Sequence, residues 1–287
     1  MKDYIALTKP RITWLILMST GVGYFFGLKT GWHGWPSWVS FLNTIVGTGL
    51  IASGTFALNQ WTERVADCKM HRTAQRPLPS GRLEPRRALV FSTLVALAGF
   101  LELTLFVNLL AGLLGLFTLA SYLFWYTPLK QRSPLSTVVG ALPGAMPPMI
   151  GYAGASGTLT SEAWALFAIL FVWQFPHFLA IAWMYREDYA RAGIRMLPVV
   201  EPDGESTSRQ IVIYASTLIP VSLFPSLLGM SGKIYLFGAL ILGAWFLYAG
   251  VRVAFDRTRL RAKRVLLVSV IYLPLIYGLM VLDRPGL

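Results

Sequence analysis

Polar residues in this chain fall in short clusters between long apolar runs. Nine runs of about 17 to 24 residues stand out, long enough as helices to cross the hydrocarbon core of a bilayer. They occupy residues 12–28, 38–58, 88–107, 109–126, 135–155, 162–184, 210–228, 234–254 and 265–282. The pattern predicts an all-α integral membrane protein with nine transmembrane helices in a single domain, 1–287. The third and fourth runs are almost continuous, and the break between them is placed near Asn108. The fifth contains Pro143, Pro147 and Pro148 with glycines at 140, 144 and 151. Proline removes a helix hydrogen bond, so a kinked or broken helix is expected there, with small residues allowing close packing or a cavity wall.

Composition agrees with the pattern. The chain is 55% hydrophobic and 13% charged, against about 25% charged in a soluble domain. The first run has no small-residue cleavage site and reads as a retained span. A single cysteine, Cys68, excludes an internal disulfide.

The net charge of +12 would suit a nucleic acid, but its distribution points elsewhere. With the N-terminus inside, 22 of the 25 lysines and arginines fall on the inner side, leaving Lys29, Lys233 and Arg284 outside. That asymmetry predicts a multi-pass protein of the plasma membrane, with its N-terminus in the cytoplasm and its C-terminus outside. The lipid bilayer is its environment, and no nucleic-acid partner is expected. Glu102 is the one acid deep within a predicted run. It is either functional or bonded to a neighbouring helix.

The chemistry concentrates just after the second run. Asn59, Glu63 and Asp67 are four residues apart, which on a helix places them along one face. Three oxygen ligands in a row suit a hard cation such as Mg2+. Lys69, Arg72 and Arg76 follow at once and suit phosphate oxygens. Together they suggest a site for a diphosphate with an apolar tail. Two further polar elements follow even-numbered runs and so share the same face. One carries Lys130 and Arg132. The other runs from Trp173-Gln174 through His177 to Glu187, Asp188 and Tyr189. Two acidic clusters and a basic loop can thus converge over one central cavity.

These motifs resemble a known family. They are Asn59 to Asp67, Arg72-Thr with Arg76-Pro-Leu-Pro-Ser-Gly81, the stretch Pro143–Gly151, and Trp173-Gln-Phe-Pro-His177-Phe followed by Glu187-Asp188-Tyr189 and Met196-Leu-Pro. The chain is similar to the protoheme IX farnesyltransferases, the heme branch of the UbiA superfamily of intramembrane prenyltransferases. The resemblance runs from about Leu7 to Val200; the last three runs agree in hydropathy only. It implies transfer of the farnesyl group of farnesyl diphosphate to a vinyl group of heme B, with water addition, giving heme O. It implies Mg2+ on Asn59, Glu63 and Asp67, with Asp188 as a further ligand. Lys69, Arg72, Arg76, Lys130 and Arg132 become diphosphate clamps. His177 becomes a heme-binding or proton-handling residue, with a hydrogen bond to a neighbouring helix as the alternative. Tyr126, Trp173, Phe175 and Phe178 could face an allylic cation or simply pack. Hand-over of product to a heme A synthase or a terminal oxidase is implied as well.

Three departures matter. Glu63 stands where Asp is common, and Val65 where many relatives carry another Asp. The second acidic motif is Glu187-Asp188, which could instead pair with Arg186 or Arg191. Two other functions compete: a superfamily member acting on an aromatic or quinone precursor, and a transporter. The Trp-Gln-Phe-Pro-His-Phe element disfavours the first. Charges gathered at one face rather than at the midplane disfavour the second.

Overall fold

Residues 1–28 and 34–285 are described by a computed structural model; Lys29 and His33 lie outside the described residues. The described residues are helical, without a strand. In chain order the elements are α1 (Lys2–Leu7), α2 (Pro10–Gly27), α3 (Trp35–Cys68), α4 (Pro85–Phe106) and α5 (Leu109–Ala120). A π-helical stretch (Ser121–Tyr126) leads into α6 (Thr127–Leu129), α7 (Ser136–Gly144) and α8 (Met146–Ser156). Then come α9 (Ser161–Met184), α10 (Arg186–Arg191), α11 (Leu197–Val200), α12 (Glu205–Val221), α13 (Phe224–Leu227), α14 (Lys233–Phe255) and α15 (Arg259–Leu282).

Seven stretches among the described residues are long and apolar enough to span a bilayer: 35–68, 85–106, 109–129, 161–184, 205–227, 233–255 and 259–282. This is a multi-pass integral membrane protein. Two of the nine expected spans are not among the seven. Residues 12–28 form α2, which has 18 residues. Residues 135–155 form the pair α7 and α8, broken at Ala145. The break has a backbone cause: Pro147 and Pro148 carry no N–H to continue the ladder from α7. At the other doubtful boundary, α4 ends at Phe106 and Asn108 caps α5. The Asn108 Oδ1 accepts from the Ala111 N–H at 2.9 Å, and its Nδ2 donates to the Ala153 carbonyl at 2.8 Å. One side chain thus satisfies the turn and a neighbouring helix, as burial demands. Glu102 lies one turn before the end of α4, half-buried.

The chain forms two compact units, residues 1–159 with 190–194, and residues 160–189 with 195–287. In the first unit, α3 packs along α4 and α2 along α8. The α2–α8 approach is backbone to backbone. A Cβ on Gly151 would sit 1.9 Å from the Thr20 carbonyl oxygen, and one on Gly23 would sit 2.0 Å from that of Pro148. Glycine at both positions is what lets the helices meet. A small core of Leu7, Ala57, Leu78, Leu83 and Ala88 ties the N-terminal segment and the 69–84 loop to α3 and α4. The Gln60 Nε2 donates to the Leu7 carbonyl at 2.8 Å inside that core.

In the second unit α9, α12, α14 and α15 pack around one another. Several of their buried polar groups bond internally, as a lipid environment requires. The Tyr235 hydroxyl donates to the Ser222 carbonyl, and Ser222 Oγ and the Tyr272 hydroxyl share a bond, both at 2.7 Å.

Candidate active site

The helix α3 is 34 residues long, about 51 Å at 1.5 Å per residue. That exceeds a hydrocarbon core of about 30 Å, so its last turns continue as helix past the apolar run. Asn59, Glu63 and Asp67 therefore share one helical face, as their spacing predicted. Asn59 and Asp67 are each only 1% exposed. The Asn59 Nδ2 donates to Glu63 Oε2 at 2.8 Å, and Asn59 Oδ1 accepts from Thr127 Oγ1 at 2.9 Å. Glu63 Oε1 holds Lys130 Nζ at 2.7 Å, and Asp67 Oδ2 holds Arg76 Nη1 at 2.7 Å. Each carboxylate thus carries one cation.

The loop Arg76-Pro-Leu-Pro-Ser-Gly81 is shaped to aim Arg76. Thr73 Oγ1 donates to the Asp67 carbonyl at 2.9 Å, Ser80 Oγ donates to that of Arg76 at 2.6 Å, and Leu78 anchors in the small core. Gly81 turns the chain at φ +74°, a left-handed conformation that suits glycine. Lys130 is placed from the other side by the π-helical stretch. Its Nζ lies 4.3 Å from the ring centre of Tyr126 and 5.9 Å from that of Tyr122. Such π-turns often mark functional positions, because the extra residue re-aims the side chains around it. Burial disfavours the charge on Lys130, but the Glu63 carboxylate outweighs it and holds the ammonium well above its ordinary range.

Sequence reasoning missed Lys9. Among the described residues it is the one non-glycine with positive φ, at 49°. It caps α2 just before Pro10, which disfavours the right-handed helical region for the residue ahead of it. Its Nζ lies 5.1 Å from the Phe56 ring centre. Burial, then the charges of Arg76 and Lys130, lower its pKa to about 7; Glu63 and Asp67 pull the other way. A lysine before a proline at the mouth of the first apolar run was the available signal. Thr127 and Tyr122 carried no signal of their own, since the π-turn that brings them in has no clear sequence mark.

Other predicted residues lie elsewhere. Lys69, Arg72 and Arg132 are exposed. Val65 is 65% exposed, off the Asn59 face; a further acid there would point away from the cluster. Cys68 is exposed.

In the second unit, His177 on α9 is partly buried, and its Nδ1 lies 2.8 Å from Ser269 Oγ on α15. The Trp173 ring stacks on the imidazole at 4.9 Å and 25°, while its Nε1 donates to the Ser269 carbonyl at 2.9 Å. Phe175 stacks on Tyr214 at 3.9 Å and so is committed to packing. Of the two neighbouring acids, Asp188 is 8% exposed and Glu187 lies on the surface. The Arg186 guanidinium lies over Trp183.

Among the described residues, no three His, Cys, Asp or Glu side chains gather as a metal cluster. Asp67 Oδ1, however, is buried with no hydrogen-bond partner among the described residues. That orphaned oxygen, beside Glu63 and the Asn59 amide, fits magnesium. This ion takes one or two carboxylates and fills its remaining positions with water and phosphate oxygens.

Comparison with known proteins gives a consistent result. The UbiA prenyltransferase family model matches residues 17–273. A protoheme IX farnesyltransferase of Solibacter usitatus (strain Ellin6076) is 68% identical, covering 100% of both chains. One from Koribacter versatilis (strain Ellin345) is 46% identical over 99% of this chain and 94% of its own. Among solved structures, a digeranylgeranylglyceryl phosphate synthase superposes with a TM-score of 0.80 at 17% identity, over 100% of this chain and 99% of that one. A UbiA homolog from Archaeoglobus fulgidus bound to GPP and Mg2+ gives 0.65 at 16% identity, over 97% and 99%. These two share the fold. With its helices, its α3 motif and its full-length relatives in agreement, this chain belongs to the UbiA prenyltransferase family.

Proposed function

We propose that this protein transfers the farnesyl group of farnesyl diphosphate to a vinyl group of heme B, with addition of water, releasing diphosphate and heme O. The end-to-end 68% identity with a curated protoheme IX farnesyltransferase carries this reading. The α3 cluster supports it chemically. Breaking the allylic C–O bond leaves negative charge on the diphosphate. Arg76 and Lys130 are already oriented by their carboxylates. Preorganised donors of this kind act most strongly where charge develops in a dry site. Magnesium bound by Asn59, Glu63 and Asp67 would neutralise the departing oxygens. Asp188, buried in the second unit, is the acid assigned to a further ion. Lys69, Arg72 and Arg132, exposed at the surface, are assigned with Arg76 and Lys130 to the diphosphate. His177 is assigned to the heme. The charge asymmetry supports a cytoplasmic site in a bacterial plasma membrane, and the product would pass to a heme A synthase or a terminal oxidase.

The test is heme O in membranes of cells expressing this chain, with Asn59→Ala and Asp67→Ala as controls. Well-folded protein that makes no heme O refutes the reading, and a prenylated hydroxybenzoate would replace heme B as the acceptor.

A further inference from the structure

The environment of His177 contains a constraint that its proposed role does not use. Ser269 Oγ lies 2.7 Å from the Leu266 carbonyl oxygen, one turn back on α15. A carbonyl only accepts, so the single hydroxyl hydrogen of Ser269 goes there. The same Oγ lies 2.8 Å from His177 Nδ1. With its hydrogen already committed, Oγ accepts in this second bond, and Nδ1 donates. The reverse arrangement would leave two oxygens 2.7 Å apart with no hydrogen between them. Nδ1 of His177 therefore carries a hydrogen, which in the neutral imidazole leaves Nε2 with a bare lone pair.

The ring is fixed in other ways too. Trp173 covers one of its faces, and the Trp173 indole N–H is itself bonded to the Ser269 carbonyl. One residue of α15 thus sets the tautomer through its hydroxyl and anchors the stacked indole through its carbonyl. Ser269 is 0% exposed, so water does not compete for these bonds. An imidazole with one nitrogen tied to a fixed acceptor and the other bare is the arrangement in which histidine ligates a metal.

We propose that Ser269 is a positioning residue that holds His177 as the Nδ1–H tautomer, so that Nε2 ligates the iron of the heme acceptor. This rests on the heme reading above. It gives the acceptor a point of attachment, the Nε2 of His177 on α9. No proton or electron is exchanged in this step; a nitrogen lone pair occupies an axial position of the iron.

The tautomer can be read without substrate. The chain has three histidines, so 15N-histidine labelling gives few signals, and His177→Asn identifies the relevant one. The expected wild-type spectrum has a protonated Nδ1 and a bare Nε2. Ser269→Ala should mix the tautomers, and Ser269→Thr, which keeps the hydroxyl, should restore the wild-type pattern. Heme B is then titrated into purified protein, with resonance Raman of the ferrous form reporting an iron–histidine stretch. That stretch should vanish in His177→Asn. Heme affinity should fall about 10- to 100-fold in Ser269→Ala and recover in Ser269→Thr. A protonated Nε2 in the wild type overturns the role of Ser269, whatever the variants do. Bound heme without a histidine signature overturns the ligation. If heme O still forms in that preparation, the farnesyl-transfer reading stands and only this inference falls.

Discussion

Lys130 is the residue whose structural and catalytic roles can be separated most cleanly. Its Nζ sits 2.7 Å from Glu63 Oε1, and the two side chains are only 12% and 13% exposed. Two unit charges about 4 Å apart attract by about 4 kcal/mol at an effective dielectric of about 20. Removing one partner of such a buried pair strands the other and costs about 3–5 kcal/mol. Lys130→Met should therefore destabilise the protein by about 3 kcal/mol, since the Asn59 amide still serves Glu63. Glu63→Gln should cost a similar amount. The double variant replaces the pair by neutral groups of similar volume and should return to within about 1 kcal/mol of the wild type. Activity should behave differently. Without the Lys130 cation the departing diphosphate loses one preorganised donor, worth about 100- to 1,000-fold in turnover, and the double variant, which also lacks the Glu63 carboxylate assigned to magnesium, should be at least that slow. Unfolding in mixed micelles measures the first quantity, and heme O formed per folded protein measures the second. If the double variant recovered activity along with stability, Lys130 would be structural, and the clamp assigned to it would be wrong.

Lys9 offers a pH test. Its pKa of about 7 in the folded protein, caused first by burial, lies below the ordinary lysine value of 10.5; the unfolded chain therefore binds more protons between these values, and stability should rise with pH across that window, a slope that Lys9→Met removes. Near pH 8 the amine is mostly neutral, so binding of inorganic diphosphate should take up a proton, seen as a buffer-dependent heat in calorimetry and absent in Lys9→Met. Gly151→Ala would drive a Cβ to 1.9 Å from the Thr20 carbonyl; the helices must separate, and a loss of about 2–3 kcal/mol is expected by thermal unfolding. Asp67→Asn replaces one oxygen of the buried carboxylate that holds Arg76 with an amide nitrogen; activity should fall at least about 100-fold, and the magnesium concentration for half-maximal rate should rise. Chelating the metal from wild-type protein should abolish turnover, and added magnesium should restore it.

Much of the helical layout was legible because the apolar runs are long and the clusters between them short. Asn108, between two apolar runs that are almost continuous, marked a true turn because its side chain can cap one helix and bond another. The i, i+4, i+8 spacing of Asn59, Glu63 and Asp67 correctly announced a shared face. What spacing could not reveal is which cations those groups select. Arg76 and Lys130 are drawn in by a loop rich in proline and by a π-turn, while Lys69, Arg72 and Arg132, equally basic, remain on the surface. Lys9 escaped for the same reason: its place depends on a left-handed backbone and on the packing of Leu7, which meets Gln60 53 residues further along. The two shorter helical segments, α2 and the α7–α8 pair, also depart from simple hydropathy, since glycine against backbone sets how closely α2 and α8 approach.

The paired ions on α3 have a consequence for how the site stands when no substrate is present. Two carboxylates face two cations, and Lys9, the third cation nearby, readily gives up its proton. The cluster is close to electrically neutral, which is the state least costly to keep at the edge of a bilayer. On the proposed function, a strongly anionic diphosphate would not enter such a balanced site alone. Positive charge would be imported with it, as a proton on Lys9, as a divalent cation, or as both. The site is thus a charge-matched socket, whose ligand must arrive with its own counter-charge.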